Sequence, residues 1–106
     1  MTTPVDIDPL RTYQDIYARL VDLCERPAEF PDDSHLYVME AFTHLTEVDL
    51  VPPTKLPAVH YGRTEEALHQ VRRLLTDLIS SSSDLQIARA LLRVDACIEG
   101  AIAERQ

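Results

Sequence analysis

Two carboxylates late in the chain, Asp95 and Glu99, are the residues best suited to chemistry by type and position. On a helical wheel Asp95 falls at the edge of an apolar face, and no cation lies three or four positions away. A carboxylate among apolar groups needs a donor from another helix, a water molecule or a bound cation, or it takes a raised pKa as catalytic acids do. The plainer interpretation, which we favour, is a boundary residue whose carboxylate reaches solvent or a tyrosine hydroxyl.

A proline-rich segment, residues 49–63, separates two stretches with helical patterns and contains the only lysine of the chain. Functional residues concentrate on loops that rigid scaffolds hold in place, so His60 and Tyr61 are candidates for a pocket mouth beside the two carboxylates. In the alternative that we favour, Tyr61 covers the core together with Leu56 and Val59, and His60 is exposed. The predicted ligand-binding residues are Asp95, Glu99, His60 and Tyr61.

Two groups of polar residues have spacings found in metal-binding helices. Glu40, His44 and Glu47 share one side of a predicted helix, and Glu66 precedes His69 by the three positions seen in carboxylate-bridged di-iron bundles. His69 lies nearly opposite the apolar stripe of its helix, and no second Glu-x-x-His is present. We therefore predict solvated polar faces here, with no metal and no cofactor.

Catalytic and nucleotide-binding motifs are absent from the sequence. There is no GxSxG, no P-loop and no GxGxxG, and two glycines leave little material for a phosphate-cradling loop. Cys24 and Cys97 show no spacing typical of metal or disulfide frameworks, so we expect small buried thiols. The sequence favours a non-enzymatic protein.

Charge is distributed unevenly along the 106 residues, whose formal net charge is −8. Residues 1–53 contain eleven acids and three arginines, whereas residues 54–106 are balanced, with seven of each sign. This acidic field repels phosphate backbones and suits a basic protein partner, so we expect no nucleic-acid binding. Because residues 1–9 lack the pattern of a secretory signal and no apolar run is long enough for a membrane span, we expect a cytoplasmic protein without membrane contact.

A 3.6-residue period of apolar positions predicts four helices, at about 9–26, 33–48, 64–80 and 84–104. Start signals support three of them: Asp8 followed by Pro9, Thr64 before two glutamates, and the capping box Ser83 to Gln86. Short turns follow the first and third helices, which is typical of helical hairpins. We predict a single all-α domain, residues 1–106: a four-helix bundle of two antiparallel hairpins joined by connector 49–63.

The fourth helix carries a second apolar stripe outside its main face. Leu85, Leu92 and Ala96 form this stripe, and Arg89 and Arg93 flank it as a like-charge pair one turn apart. These five residues are the predicted interaction surface. We expect a small acidic module with an adaptor, regulatory or immunity-like role that acts through protein contacts, including self-association as a homodimer. The alternative is a small-ligand-binding or catalytic bundle centred on Asp95 and Glu99.

Overall fold

The computed structural model describes residues 8–30, 33–55 and 60–104. Over these ranges the protein is all-helical, without β-strands, as the apolar periodicity predicted. The described residues form four α-helices and one 3₁₀ turn, Pro27–Glu29: α1 is Pro9–Cys24, α2 is Ser34–Thr46, α3 is Thr64–Ser81 and α4 is Leu85–Glu104. Within the described ranges, no helix combines the length and the apolar character that crossing a membrane requires.

The residue predicted to cap the start of α1 is confirmed, whereas the capping residues predicted for α3 and α4 are wrong. The Asp8 carboxylate accepts hydrogen bonds from the backbone N–H groups of Leu10 and Arg11, which is the predicted cap. At α4 the capping side chain is that of Asp84 rather than Ser83, since its carboxylate accepts from the N–H of Gln86 at 2.9 Å. Thr64 is the first residue inside α3 and not its cap.

Two helices end before their predicted limits. α1 ends at Cys24 because Arg26 precedes a proline and leaves the helical region, with φ −119° and ψ 49°. α2 ends at Thr46, and the following turn tightens as the Val48 N–H donates to the Leu45 carbonyl three residues back.

Each helix packs mainly on two others: α1 on α2 and α3, and α4 on α2 and α3. Arg19 contacts Gln70 and Arg26 contacts Thr64, so α1 and α3 run antiparallel. The Tyr13 hydroxyl donates to the Leu45 carbonyl at 3.4 Å, which places the end of α2 beside the start of α1. Because α3 begins at the opposite end of α1, the two ends of the connector lie roughly one helix length apart, about 20 Å.

The core lies between all four helices and consists mainly of aliphatic side chains. Tyr13 is its one fully buried aromatic residue among those described, and Phe30 closes it beside the 3₁₀ turn. The largest fully buried aliphatic residues come from every helix: Ile16, Leu20, Leu23, Val38, Leu45, Leu68, Val71, Leu75, Leu78, Leu91 and Ile98. These contacts fix the relative positions of the side chains discussed below.

Candidate functional site

Asp95 is held by an arginine from the neighbouring helix. Its side chain is 20% exposed, and Arg72 of α3 donates to both carboxylate oxygens, from Nε at 3.1 Å and from Nη2 at 3.4 Å. Glu99 lies one turn further along α4, with its Oε2 atom 3.8 Å from the same Nη2. The hydrogen bond that Arg72 donates to Asp95 raises the pKa of the guanidinium. The cation that is missing from Asp95's own helix is thus supplied across the α3–α4 contact.

The contacts of His60 and Tyr61 are with α1. The Tyr61 N–H donates to the Asp22 carboxylate at 3.1 Å, and the Arg19 guanidinium carbon lies 4.3 Å from the centre of the Tyr61 ring. His60 is exposed, with its Nδ1 atom 3.8 Å from Asp22. Residues 56–59, including Leu56 and Val59, lie outside the described ranges. The four predicted ligand-binding residues are therefore divided between two places, with contacts to α3 for one pair and to α1 for the other.

A buried arginine ties the end of the connector to α1, and sequence reasoning did not identify it. Arg26 is only 6% exposed, and its guanidinium donates to the Asp22 carboxylate, to the Gly62 carbonyl at 2.6 Å and to the Thr64 hydroxyl. Gly62 has φ +80°, a conformation that favours glycine. In the sequence, the i, i+4 spacing of Asp22 and Arg26 could have indicated this ion pair. Because the guanidinium is already well satisfied by these acceptors, the cluster has a structural role.

The second apolar stripe of α4 lies on an exposed face of the helix. Leu85 is 65% exposed and Leu92 is 52% exposed, and Ala96, Arg89 and Arg93 are exposed as well. Glu99 and Ala103 are exposed on the same side of the helix. We define the outer face of α4 as the six residues that alternate in steps of four and three: Leu85, Arg89, Leu92, Ala96, Glu99 and Ala103. Arg93 lies at its edge, towards α2.

A third cluster joins α2 to α4. The ligating atoms of Glu40, His44 and Cys97 all lie within 4.8 Å of one another. His44 Nε2 is 3.8 Å from Glu40, and the Nδ1 atom on the other side of the ring is 3.6 Å from Glu47. Burial, together with the nearby Glu40 carboxylate, raises the pKa of the Cys97 thiol. Sequence reasoning grouped the three α2 residues but missed Cys97, because a side chain from another helix leaves no trace in local spacing.

A groove of about 560 Å³ opens beside this cluster. Its walls come from α1 and α2 and include Cys24, Met39, Glu40, Phe42, Thr43 and His44. Cys24 is half-buried there, and burial together with the charge of Glu25 raises the pKa of its thiol to about 11. Both cysteines are free thiols.

Comparison with known proteins gives no match, whether to a protein-family model, a curated protein or a solved structure.

Proposed function

We propose that this protein is a non-enzymatic adaptor-type module that self-associates through the outer face of α4. In this proposal the four helices form a bundle of two antiparallel hairpins, and α4 presents its outer face at one corner. The observation that carries the proposal is that this face is complementary to itself. The occupant of the exposed stripe is therefore a second copy of the chain.

The complementarity appears when α4 is set antiparallel to a copy of itself. If the twofold axis passes at residue 94, Leu85 lies opposite Ala103 of the second copy, and Leu92 lies opposite Ala96. Each large side chain then meets a small one, which lets the helices approach closely. The steps of four and three are the heptad pattern of an antiparallel coiled coil, in which a and d positions face each other.

The charged residues of the outer face of α4 support the same antiparallel register. With the axis at residue 94, Arg89 lies opposite Glu99 of the second copy, and this pair occurs twice by symmetry. A slip of seven residues in either direction would break both pairs, since Arg89 would then lie opposite residue 92 or residue 106 of the second copy. The acidic first half of the chain contributes α1 and α2, which are not part of this contact and stay accessible to a basic protein partner.

The contact is small, so the expected dimer is weak. The outer face runs over eighteen residue steps, or about 27 Å of helix. A single helix pair of this length buries less than the roughly 1,200 Å² typical of stable complexes. We expect a dissociation constant on the order of 10–100 µM.

A charge-exchange experiment tests the register. Arg89→Glu and Glu99→Arg should each weaken the dimer about tenfold in sedimentation equilibrium, since each places like charges opposite one another twice. The double variant Arg89→Glu/Glu99→Arg should regain the original affinity within about threefold, because the pairs are restored with reversed sign. Circular dichroism of each variant checks that the loss of the Glu99–Arg72 contact has not changed the fold.

Apolar substitutions supply the matched control. Leu92→Glu should leave the protein monomeric, whereas Leu36→Glu, at a similarly exposed leucine of α2, should leave the dimer unchanged. A wild-type protein that stays monomeric at several hundred micromolar, roughly ten times the expected dissociation constant, would refute the proposal. So would a double charge variant as weak as the single ones.

A further inference from the structure

The cluster between α2 and α4 has the composition of a transition-metal site. It offers one thiol, one imidazole and one carboxylate, and all three ligating atoms lie within 4.8 Å of one another. Thiolate and imidazole are ligands that Zn²⁺ prefers, whereas Mg²⁺ and Ca²⁺ prefer oxygen ligands alone. We propose that Glu40, His44 and Cys97 bind one zinc ion, or a similar divalent transition-metal ion, within a single chain.

The helices place these side chains with little adjustment needed. Glu40 and His44 are one turn apart on α2, so they project from the same side of that helix. Ligand atoms around a tetrahedral zinc ion lie roughly 3.3–3.7 Å apart, given metal–ligand bonds of about 2.0–2.3 Å. The Nε2 atom of His44 is already 3.8 Å from Glu40. Glu40 is exposed, so its side chain can rotate by the small amount that closes the site.

Cys97 reaches this position because α2 and α4 approach each other closely one turn away. A Cβ atom at Gly100 would lie 2.9 Å from the Tyr37 ring, so only a glycine fits against the tyrosine without displacing it. The contact of Tyr37 with Gly100 sets the same antiparallel register that places Glu40 beside Cys97. The thiol is therefore positioned by backbone packing and not by its own flexibility.

His44 also has the environment of a metal ligand. Its Nδ1 atom is buried and has no hydrogen-bond partner among the described residues, and it faces Glu47 at 3.6 Å, slightly beyond hydrogen-bond distance. When Nε2 binds a metal, Nδ1 carries the proton, and a carboxylate on that side orients the ring. A small movement of the ring would bring Nδ1–H onto Glu47, which makes Glu47 a positioning residue.

Electrostatics favour a cation at this point. His44 lies in the last turn of α2, where the helix dipole is negative, and two glutamates lie beside it. A Cys97 thiolate and the Glu40 carboxylate together balance the charge of a divalent ion, and binding releases the thiol proton to solvent. The groove beside the cluster gives solvent access to a fourth coordination position.

Cobalt substitution in the reduced protein is the direct test. Co²⁺ should bind with one ion per chain and give a thiolate-to-cobalt charge-transfer band together with tetrahedral ligand-field bands, and Zn²⁺ should displace it. Cys97→Ser should abolish the charge-transfer band. Cys24→Ser, which removes the other thiol beside the groove, should leave the spectrum unchanged, as should the dimer-breaking Leu92→Glu.

Affinity measurements separate the ligands from the positioning residue. In zinc titrations, His44→Ala and Glu40→Gln should each weaken binding by about 100-fold or more, and Glu47→Gln by about tenfold. If Cys97→Ser does not fold, zinc protection of Cys97 against alkylation in the wild-type protein, mapped by mass spectrometry, answers the same question. A wild-type cobalt spectrum without the thiolate band, a band that survives in Cys97→Ser, or no protection by zinc would overturn the proposal.

Discussion

Arg72 holds two carboxylates of α4 with one guanidinium group, and this pairing defines the chemistry available to Asp95. The charge of Asp95 is compensated by a donor with good two-point geometry, so its partial burial needs no bound ligand. Such a pair between helices contributes modestly to stability while both partners are present. Removing one partner leaves the other half-buried and unsatisfied.

At this scale we expect Arg72→Met to lower the free energy of unfolding by about 1 kcal/mol, since Asp95 then loses its only side-chain cation in the described contacts. Arg72→Met in an Asp95→Asn background should cost less, and the difference is the coupling energy of the pair. Urea denaturation of the four proteins measures this cycle. Arg73→Met, at the exposed neighbouring arginine, should change stability by less than about 0.5 kcal/mol. Equal losses for the two arginines would show that the pair contributes nothing.

Between elements, the contact of Tyr37 with Gly100 decides how closely α2 and α4 pack. Alanine is preferred over glycine inside a helix by up to about 1 kcal/mol, so an unhindered Gly100→Ala would stabilise the protein. Here the added methyl would meet the tyrosine ring at 2.9 Å, and overpacking of this kind costs about 1–3 kcal/mol.

We therefore expect Gly100→Ala to destabilise the protein by about 1 kcal/mol in thermal or urea denaturation. The sign should reverse in a Tyr37→Ala background, where the methyl group has room and only helix propensity remains. A stabilising Gly100→Ala in the wild-type background would mean that the ring moves aside at little cost, and that this contact does not set the helix spacing.

Helix positions and their apolar faces were predictable because both follow from local spacing. The contacts between side chains of different helices were not predictable, since Arg72 with Asp95 and Glu40 with Cys97 depend on the register between helices. Arg72 illustrates the difficulty. It lies four residues after Leu68 and three before Leu75, at the edge of the apolar face of α3, and local spacing could not indicate that its long side chain reaches Asp95 on α4.

At the scale of the whole molecule, the two halves of the chain are joined by far more than the connector. α1 packs on α3 and α2 packs on α4, so much of the core is shared between the halves. The Arg26 cluster adds a polar tie between the end of α1 and the start of α3. A break in the connector should therefore leave the fold intact.

A protease can break the connector at Lys55, the only lysine of the chain, because this residue is exposed. A lysine-specific endoprotease should produce fragments 1–55 and 56–106 that elute together in native size-exclusion chromatography and separate only in denaturant. Lys55→Arg is the matched control that this protease leaves intact. Fragments that elute apart or aggregate would show that the connector is needed to hold the halves together.

The continuity of the connector determines how the stability of this protein responds to dilution. While the chain is continuous, the connector keeps each pair of helices at an effective concentration in the millimolar range relative to the other pair. Unfolding of the monomer is then unimolecular, so below the dissociation constant of the proposed dimer the melting temperature does not depend on protein concentration. After a single cut the same helices become two subunits of a heterodimer, and their melting temperature should fall as the sample is diluted. The connector thus converts an association equilibrium into a folding equilibrium.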